Sequence, residues 1–219
     1  MKKLILLSFF LPLLCLGQDD QPQKKDKKQK MSLGFGVKGG VNFANVRGTS
    51  SISTSNTSGF MGGVFLSPPS SGIMSYRTEV IYSKQGYNFA TQTNTGVVNL
   101  DYIILPQLMA FNITKFVQIQ VGGQMAFLLN AKTDTTKDNS TNPTSGMMDL
   151  YNKFDYGFAG GIEIHPFKGM LIGARLNVSM GNIYKDPSSF MASGGGMQSM
   201  IPKIEVKNNV LQVFAGWIF

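Results

Sequence analysis

Residues 115–130, KFVQIQVGGQMAFLLN, decide the fold class. The apolar set is Val117, Ile119, Val121, Met125, Phe127 and Leu129, and the polar set between them is Gln118, Gln120, Gln124 and Asn130. Successive side chains of a β-strand point to opposite faces, whereas those of a helix repeat about every 3.6 residues. The alternation therefore predicts a strand with one apolar face and one polar face.

The rest of the chain repeats this pattern from residue 33 onward, without a segment that combines a helical period with helix caps. Eight strands are predicted, at about 33–46, 58–67, 73–89, 97–111, 115–130, 152–165, 168–182 and 207–219. The apolar run YIILPQLMAF at 102–111 leaves open which side chains of the fourth strand share a face.

The connections between these strands alternate in length. Short ones lie near 68–72, 112–114 and 165–168, and long polar ones near 47–57, 90–96, 131–151 and 183–206. Short turns on one side and long loops on the other are typical of transmembrane β-barrels. We therefore predict an all-β fold, an eight-stranded antiparallel up-and-down transmembrane β-barrel, over 33–219. A soluble lipocalin-like barrel or β-sandwich is the alternative, and such folds expose more charge.

The charge distribution agrees with a lipid-facing outer wall. Charged residues make up 15% of the chain, against about 25% in soluble domains. The face opposite the apolar one carries Lys38, Arg77, Glu79, Asp155, Glu163 and Arg175. Because a buried unpaired charge is costly, we expect these three cations and three anions to pair across the lumen as an interior charge cluster.

The first 32 residues are expected to lie outside the barrel. Residues 1–17 combine a basic start with a short apolar run, which predicts a signal peptide cleaved after Gly17. A lipoprotein signal using Cys15 is the rival interpretation, and Leu14 disfavours it because a small residue is needed there. Residues 18–32 predict a disordered basic periplasmic tail. Signal and tail hold half of the formal net charge of +8, so no nucleic-acid partner is needed.

Three segments resemble one family. These are GFGVKGGVNFANVRG at 34–48, YIILPQLMAF at 102–111 and VLQVFAGWIF at 210–219. They are similar to the Bacteroidetes-type outer membrane β-barrel domain, often labelled PorT-like. The resemblance implies a bacterial outer membrane protein surrounded by outer-membrane lipid. That family often has an acid shortly before the proline, where this chain has Ile103 and Ile104.

Two further features predict processing. Trp217 and Phe219 end a strand of alternating apolar residues, which predicts a C-terminal assembly signal for the barrel-assembly machinery. Asp134-Thr135-Thr136 resembles the Bacteroidetes O-glycosylation pattern and makes Thr135 the candidate site.

No catalytic constellation is evident. His165 is the single histidine and stands in a predicted short turn. The glycines at 34, 36 and 39 lie within a strand, whereas a dinucleotide fingerprint needs a helix after them. We expect no enzyme, cofactor or metal site. The predicted role is structural or interactive, through exterior loops or the periplasmic tail, with a protein partner left open. The alternatives are an accessory subunit of a secretion or assembly machine, and a narrow channel or small-solute transporter.

Overall fold

The computed structural model describes residues 34–47, 53–68, 73–90, 95–135, 151–185 and 207–219. The predicted signal peptide at 1–17 and the predicted tail at 18–32 lie outside the described residues.

Eight strands form one closed antiparallel barrel in which each strand pairs with its neighbour in the chain and the last pairs with the first. They are β1 Gly34–Arg47, β2 Ser53–Ser67, β3 Met74–Ala90, β4 Thr95–Asn112, β5 Val117–Thr135, β6 Phe154–Ile164, β7 Met170–Ser179 and β8 Lys207–Ile218. The predicted fold class is confirmed. In the described part of the chain, no helix is long and apolar enough to cross a membrane.

Two strands extend further than the alternation predicts. β2 begins at Ser53 rather than near 58, and β5 runs to Thr135 rather than stopping near 130. The added residues are paired, since Ser53 lies opposite Ala90 and Thr135 lies opposite Gly96. Backbone N–H and C=O groups can pair two neighbouring strands whatever their side chains are, so a hairpin can extend beyond its apolar residues. Polar strand ends therefore escape a prediction based on hydrophobic pattern.

The apolar faces of the strands point outward. Val37, Val121, Ile162 and Leu211 are each about two-fifths to one-half exposed although all lie within strands. Polar side chains such as Gln120 and Gln212 are buried inside the barrel. This arrangement is that of a barrel in lipid, with an apolar exterior and a polar interior.

The facing of β4, which the sequence left open, is now defined. Its even-numbered side chains point into the barrel and are buried, among them Leu100, Tyr102, Ile104 and Leu108. Its outer face is also mostly apolar. A strand with two apolar faces shows no alternation, which is why the sequence could not assign it.

A β-bulge changes the facing of one predicted interior residue. Asp101 pairs with Asn130 while Tyr102 pairs with Leu128, so Leu129 is an extra residue in β5. Such an insertion reverses the facing of everything beyond it. Asn130 therefore points outward, where its amide donates to Asp101 Oδ2 at 3.2 Å. The prediction that Asn130 shares the inner face with the glutamines was wrong.

Adjacent glycines of β5 show how tightly the inner face is packed. A Cβ on Gly122 would lie 1.9 Å from the carbonyl oxygen of Gln107, a severe clash with backbone. On Gly123, which faces outward, the nearest atom would be 3.9 Å away. An eight-stranded barrel has an interior just wide enough for side chains. The inner glycine is thus required by close approach of the neighbouring strand.

Candidate functional site

The barrel has two distinct ends. The connections 68–73, 113–116 and 165–169 are short and lie at one end, which we call the turn end. At the other end, the loop end, the connections 136–153 and 180–206 are long. The connections 48–52 and 91–94 at that end are as short as those of the turn end, so the predicted alternation in length was wrong for these two, because the polar strand ends on either side of them are paired. Short turns of transmembrane β-barrels face the periplasm, which predicts a periplasmic turn end.

Five charged side chains meet in the lumen towards the turn end, and we call them the ion cluster. Each is at most 4% exposed. The cluster consists of Lys38 on β1, Arg77 and Glu79 on β3, Glu163 on β6 and Arg175 on β7. Strand alternation aims all five inward, and closure of the barrel brings them together.

Glu79 is held by two cations. Arg175 Nη1 donates to Glu79 Oε2 at 2.6 Å, and Arg175 Nη2 donates to Glu79 Oε1 at 3.0 Å. Lys38 Nζ also lies 2.6 Å from Glu79 Oε2. Both carboxylate oxygens are thereby compensated, as a buried charge requires.

Glu163 is held mainly by Arg77. Arg77 Nη1 donates to Glu163 Oε1 at 2.7 Å and to Oε2 at 2.6 Å. Arg175 Nη2 stands 3.9 Å from Glu163 Oε1, which connects the two halves of the cluster. His165 Nε2 lies 3.6 Å from Glu163 Oε2, at the edge of the cluster. Burial lowers the pKa of His165, against an opposing effect of Glu163 and with a smaller lowering from Arg77.

Two glutamines of β5 complete the bonding of the arginines. Arg175 Nη2 donates to Gln120 Oε1 at 2.6 Å, and Arg77 Nη2 donates to Gln118 Oε1 at 3.3 Å. The amide of Gln120 donates in turn to Gln118 Oε1 at 2.9 Å. These polar residues of the 115–130 pattern thus have a definite role, which is to bind the guanidinium groups inside the barrel.

Aromatic rings pack against the cations as well. Lys38 Nζ lies 4.3 Å from the ring centre of Phe214, and Arg175 Cζ lies 5.3 Å from the same centre. Arg77 Cζ lies 4.7 Å from the ring centre of Phe65. Phe65 and Phe214 point inward and are buried. Cation–π contacts of this kind are strongest where water is excluded.

The structure does not bring Asp155 to the ion cluster. Asp155 begins the loop end of β6, eight residues from Glu163, a separation of about 26 Å along a strand. Its Oδ1 instead accepts hydrogen bonds from the backbone of Tyr156 at 2.8 Å and Gly181 at 3.1 Å. The cluster therefore holds three cations and two carboxylates, a formal excess of one positive charge.

The lumen near the loop end is filled by apolar and tyrosine side chains. Tyr151 and Tyr184 form an isolated β-bridge, and their rings stack with centres 5.3 Å apart. The hydroxyl of Tyr87 is hydrogen-bonded to that of Tyr184. Val98 and Leu100 are also buried here, and the same apolar cluster continues towards the turn end through Tyr102, Ile104, Leu128, Met61 and Ile81. Sequence reasoning missed this layer, because β4 supplies much of it and Tyr184 was placed in a loop.

Hydrogen-bonded amides occupy the middle of the lumen. Asn42 Nδ2 donates to Ser83 Oγ at 2.8 Å and to the carbonyl oxygens of Lys84 and Phe60 at 2.9 Å and 3.1 Å. Gln212 Nε2 donates to Asn42 Oδ1 at 3.1 Å. Beside them is a cavity of about 10 Å³, lined in part by Gln124 and Asn177. That is about the space of one water molecule.

The remaining predicted residues lie on the wall. Trp217 faces outward on β8 and is 47% exposed. Phe219 stacks on Phe35 with ring centres 5.9 Å apart, and its N–H donates to the Phe35 carbonyl at 2.8 Å. Thr135 is the last residue of β5 rather than part of a loop. Recognition by assembly machinery and glycosylation of Thr135 stay predictions.

Where side chains are described, no group of three or more His, Cys, Asp or Glu residues is placed to hold a metal ion.

A closed eight-stranded barrel with an apolar outer wall and a polar, ion-paired interior defines an outer-membrane β-barrel protein. Residues 18–185 match the family described as outer membrane protein beta-barrel domain, and the chain belongs to that family. A bacterial outer-membrane location follows from this membership. No curated protein matches the chain.

Solved structures with a similar fold include two bacterial outer-membrane proteins. OprG from Pseudomonas aeruginosa aligns with a TM-score of 0.50 and 10% identity, covering 86% of this chain and 97% of that one. Ail, the attachment invasion locus protein of Yersinia pestis, aligns with a TM-score of 0.48 and 12% identity, covering 86% and 100%. At these identities the likeness concerns the fold alone.

Proposed function

We propose that the protein is a non-enzymatic component of the bacterial envelope, whose closed barrel anchors exterior loops and a periplasmic tail that interact with partners. One observation carries this proposal. The described lumen is filled by the ion cluster at the turn end, by amides in the middle and by tyrosines at the loop end.

A filled lumen argues against transport as the main role. Passage of a solute would require separating Arg77 from Glu163 and Arg175 from Glu79, all of them buried. Breaking a buried ion pair exposes uncompensated charge and costs several kcal/mol, about 3–5 when one partner is removed. The tyrosines would have to move as well. The barrel is therefore better suited to anchoring than to conduction.

We also propose that the chain is a PorT-like member of its family, exported by the signal peptide at 1–17. The segments at 34–48, 102–111 and 210–219 support this assignment. In the structure the first and last of them pair along the β1–β8 seam.

Electrophysiology tests the closed lumen. The refolded protein is inserted into planar bilayers, with a large porin as the positive control for insertion and recording. We expect conductance near the bilayer background. Steady open channels from heat-modifiable, folded protein would overturn the proposal in favour of the narrow channel.

The absence of enzymatic activity and the choice of partner need a cellular experiment. Lipid extracts from a deletion strain are expected to match those of the parent, and a changed lipid species would identify an enzyme. Cross-linking in native membranes, followed by purification of the tagged protein, identifies partners of the exterior loops and tail. Stoichiometric recovery of a secretion or assembly machine would instead favour the accessory-subunit role.

A further inference from the structure

A group of polar side chains interrupts the apolar outer wall on three neighbouring strands, and we call it the polar belt. It consists of Lys84 on β3, Asn99 and Asp101 on β4, and Asn130 and Lys132 on β5. Lys84 lies opposite Asp101, Asp101 opposite Asn130, and Asn99 opposite Lys132. Strand alternation places Lys84 and Asp101 outside, and the bulge at Leu129 places Asn130 and Lys132 outside with them.

The belt lies immediately beyond aromatic residues of the same wall. Tyr82 precedes Lys84 by two positions and packs on Phe60 with ring centres 5.8 Å apart. Phe127 precedes the bulge and packs on Phe154 at 5.3 Å. Aromatic girdles of transmembrane barrels mark the boundary between hydrocarbon and headgroups. The belt is therefore at the headgroup level of the exterior leaflet, since the loop end faces outward.

The charges of the belt leave it positive. It contains two lysines and one aspartate. Asp101 Oδ2 already accepts a hydrogen bond from the Asn130 amide at 3.2 Å. Lys84 and Lys132 stand on either side of β4, about 12 Å apart, since they are separated by two strand spacings and by two residues along β4. Both ammonium groups can reach the space in front of β4, because a lysine side chain is long and flexible.

We propose that the polar belt binds a phosphate group of an outer-leaflet glycolipid of the lipopolysaccharide type. Charge complementarity carries the choice of occupant, because the belt presents two ammonium groups at the headgroup level, where the phosphate groups of such a glycolipid lie. Lysines near a membrane surface attract anionic headgroups in this way. Asp101 positions the Asn130 amide rather than contacting the anion.

The test compares two double variants with the same change of charge. Lys84→Gln with Lys132→Gln alters the belt. Lys115→Gln with Lys168→Gln is the matched control, since both residues are exposed in turns at the opposite end of the barrel. Native mass spectrometry of the folded, detergent-solubilised full chain measures binding of purified lipopolysaccharide, of the same lipid after phosphatase treatment, and of inorganic phosphate.

For the wild type we expect phosphorylated lipid to bind more tightly than dephosphorylated lipid. The belt variant should lose about tenfold or more in affinity for the phosphorylated lipid, while the control variant keeps the wild-type value. Equal binding of the two lipids by the wild type, or equal loss in both double variants, would overturn the proposal. Displacement of the lipid by inorganic phosphate would assign the belt to free phosphate instead and would also refute it.

Discussion

Arg175 and Glu79 face each other across the full width of the barrel. They belong to β7 and β3, which are half a turn of the barrel apart in strand order, and two hydrogen bonds of 2.6 Å and 3.0 Å join them. The pair therefore ties opposite walls together. Lys38 Nζ contacts the same carboxylate at 2.6 Å, so the charge count around Glu79 decides what each substitution does.

Removing the surplus cation, Lys38, should change the unfolding free energy little, whereas neutralising its partner carboxylate, Glu79, should lower it strongly. Lys38→Met leaves two arginines facing two carboxylates, and the methionine can pack on Phe214 in place of the lysine stem. We expect a change in unfolding free energy within about 1 kcal/mol. Glu79→Gln leaves Lys38 and Arg175 without their main counter-charge and should cost about 3–5 kcal/mol.

Urea unfolding in detergent measures the unfolding free energy of each variant. The fluorescence of the single tryptophan, Trp217, reports the transition. The double variant Lys38→Met with Glu79→Gln is the control, because the formal charge excess of its ion cluster equals that of the wild type. It should be more stable than Glu79→Gln alone. Equal losses for Lys38→Met and Glu79→Gln would show that the charge count does not govern the cluster.

Two buried asparagines should respond differently to the same substitution. Asn42→Leu removes the hydrogen bonds of Asn42 with Ser83, with Gln212 and with two carbonyl oxygens. Ser83 keeps only the bond that its Oγ accepts from Gln85. We expect a loss of at least about 2 kcal/mol. Asn177 is 3% exposed, and neither polar atom of its side chain has a partner among the described residues. Asn177→Leu should therefore be neutral or stabilising, by the same unfolding assay, and a loss as large as that of Asn42→Leu would contradict this.

Adjacent glycines of β5 offer a test of barrel closure. Gly122→Ala forces a methyl group against the Gln107 carbonyl, where a Cβ would lie only 1.9 Å away. Overpacking of this kind costs about 1–3 kcal/mol or more, and we expect a smaller heat-modifiable fraction on gels. Gly123→Ala points into open space and should fold like the wild type. Similar folded fractions for the two variants would argue against tight inner packing.

His165 should make the barrel less stable in mild acid. Burial lowers its pKa in the folded protein from the usual 6.5, so the folded state binds fewer protons than the unfolded one. Its contribution is fully present above pH 6.5 and is lost as the pH falls from there towards the lowered value. Unfolding at pH 7.5 and pH 5.5 should show a loss that His165→Gln reduces. An identical loss in that variant would assign the pH dependence to other groups.

The sequence predicted the fold because most strands place apolar side chains on the outer, lipid-facing side and polar side chains on the luminal side. Between Val117 and Phe127, apolar residues alternate with glutamines, and this alternation predicts which side chains point outward and which point into the lumen. The same rule placed Lys38, Arg77, Glu79, Glu163 and Arg175 inside. It could not assign β4, because Leu100 and Tyr102 fill the lumen while Ile103 and Leu105 face lipid.

Other features required three-dimensional information. The extra residue at Leu129 turns Asn130 and Lys132 outward, and nothing in the local pattern marks a bulge. Asp155 and Glu163 are both at positions whose side chains point inward, but they stand at opposite ends of the same strand. The alternation of side chains shows which face a residue lies on and does not show how far along the barrel axis it lies. The pairing of Arg77 with Glu163 and of Arg175 with Glu79 depends on how the sheet closes, which composition does not specify.

The β1–β8 seam has a consequence for the order of folding. Seven of the eight seams join strands consecutive in the chain, whereas this one pairs Gly36–Arg47 with residues 218–207. Contacts between distant segments form slowly because the intervening chain must first be ordered. The Gln212–Asn42 hydrogen bond crosses this seam, so it can form only when the two ends of the sheet meet. We therefore expect closure of the seam to be the rate-limiting step, with the interior network completed in that same event.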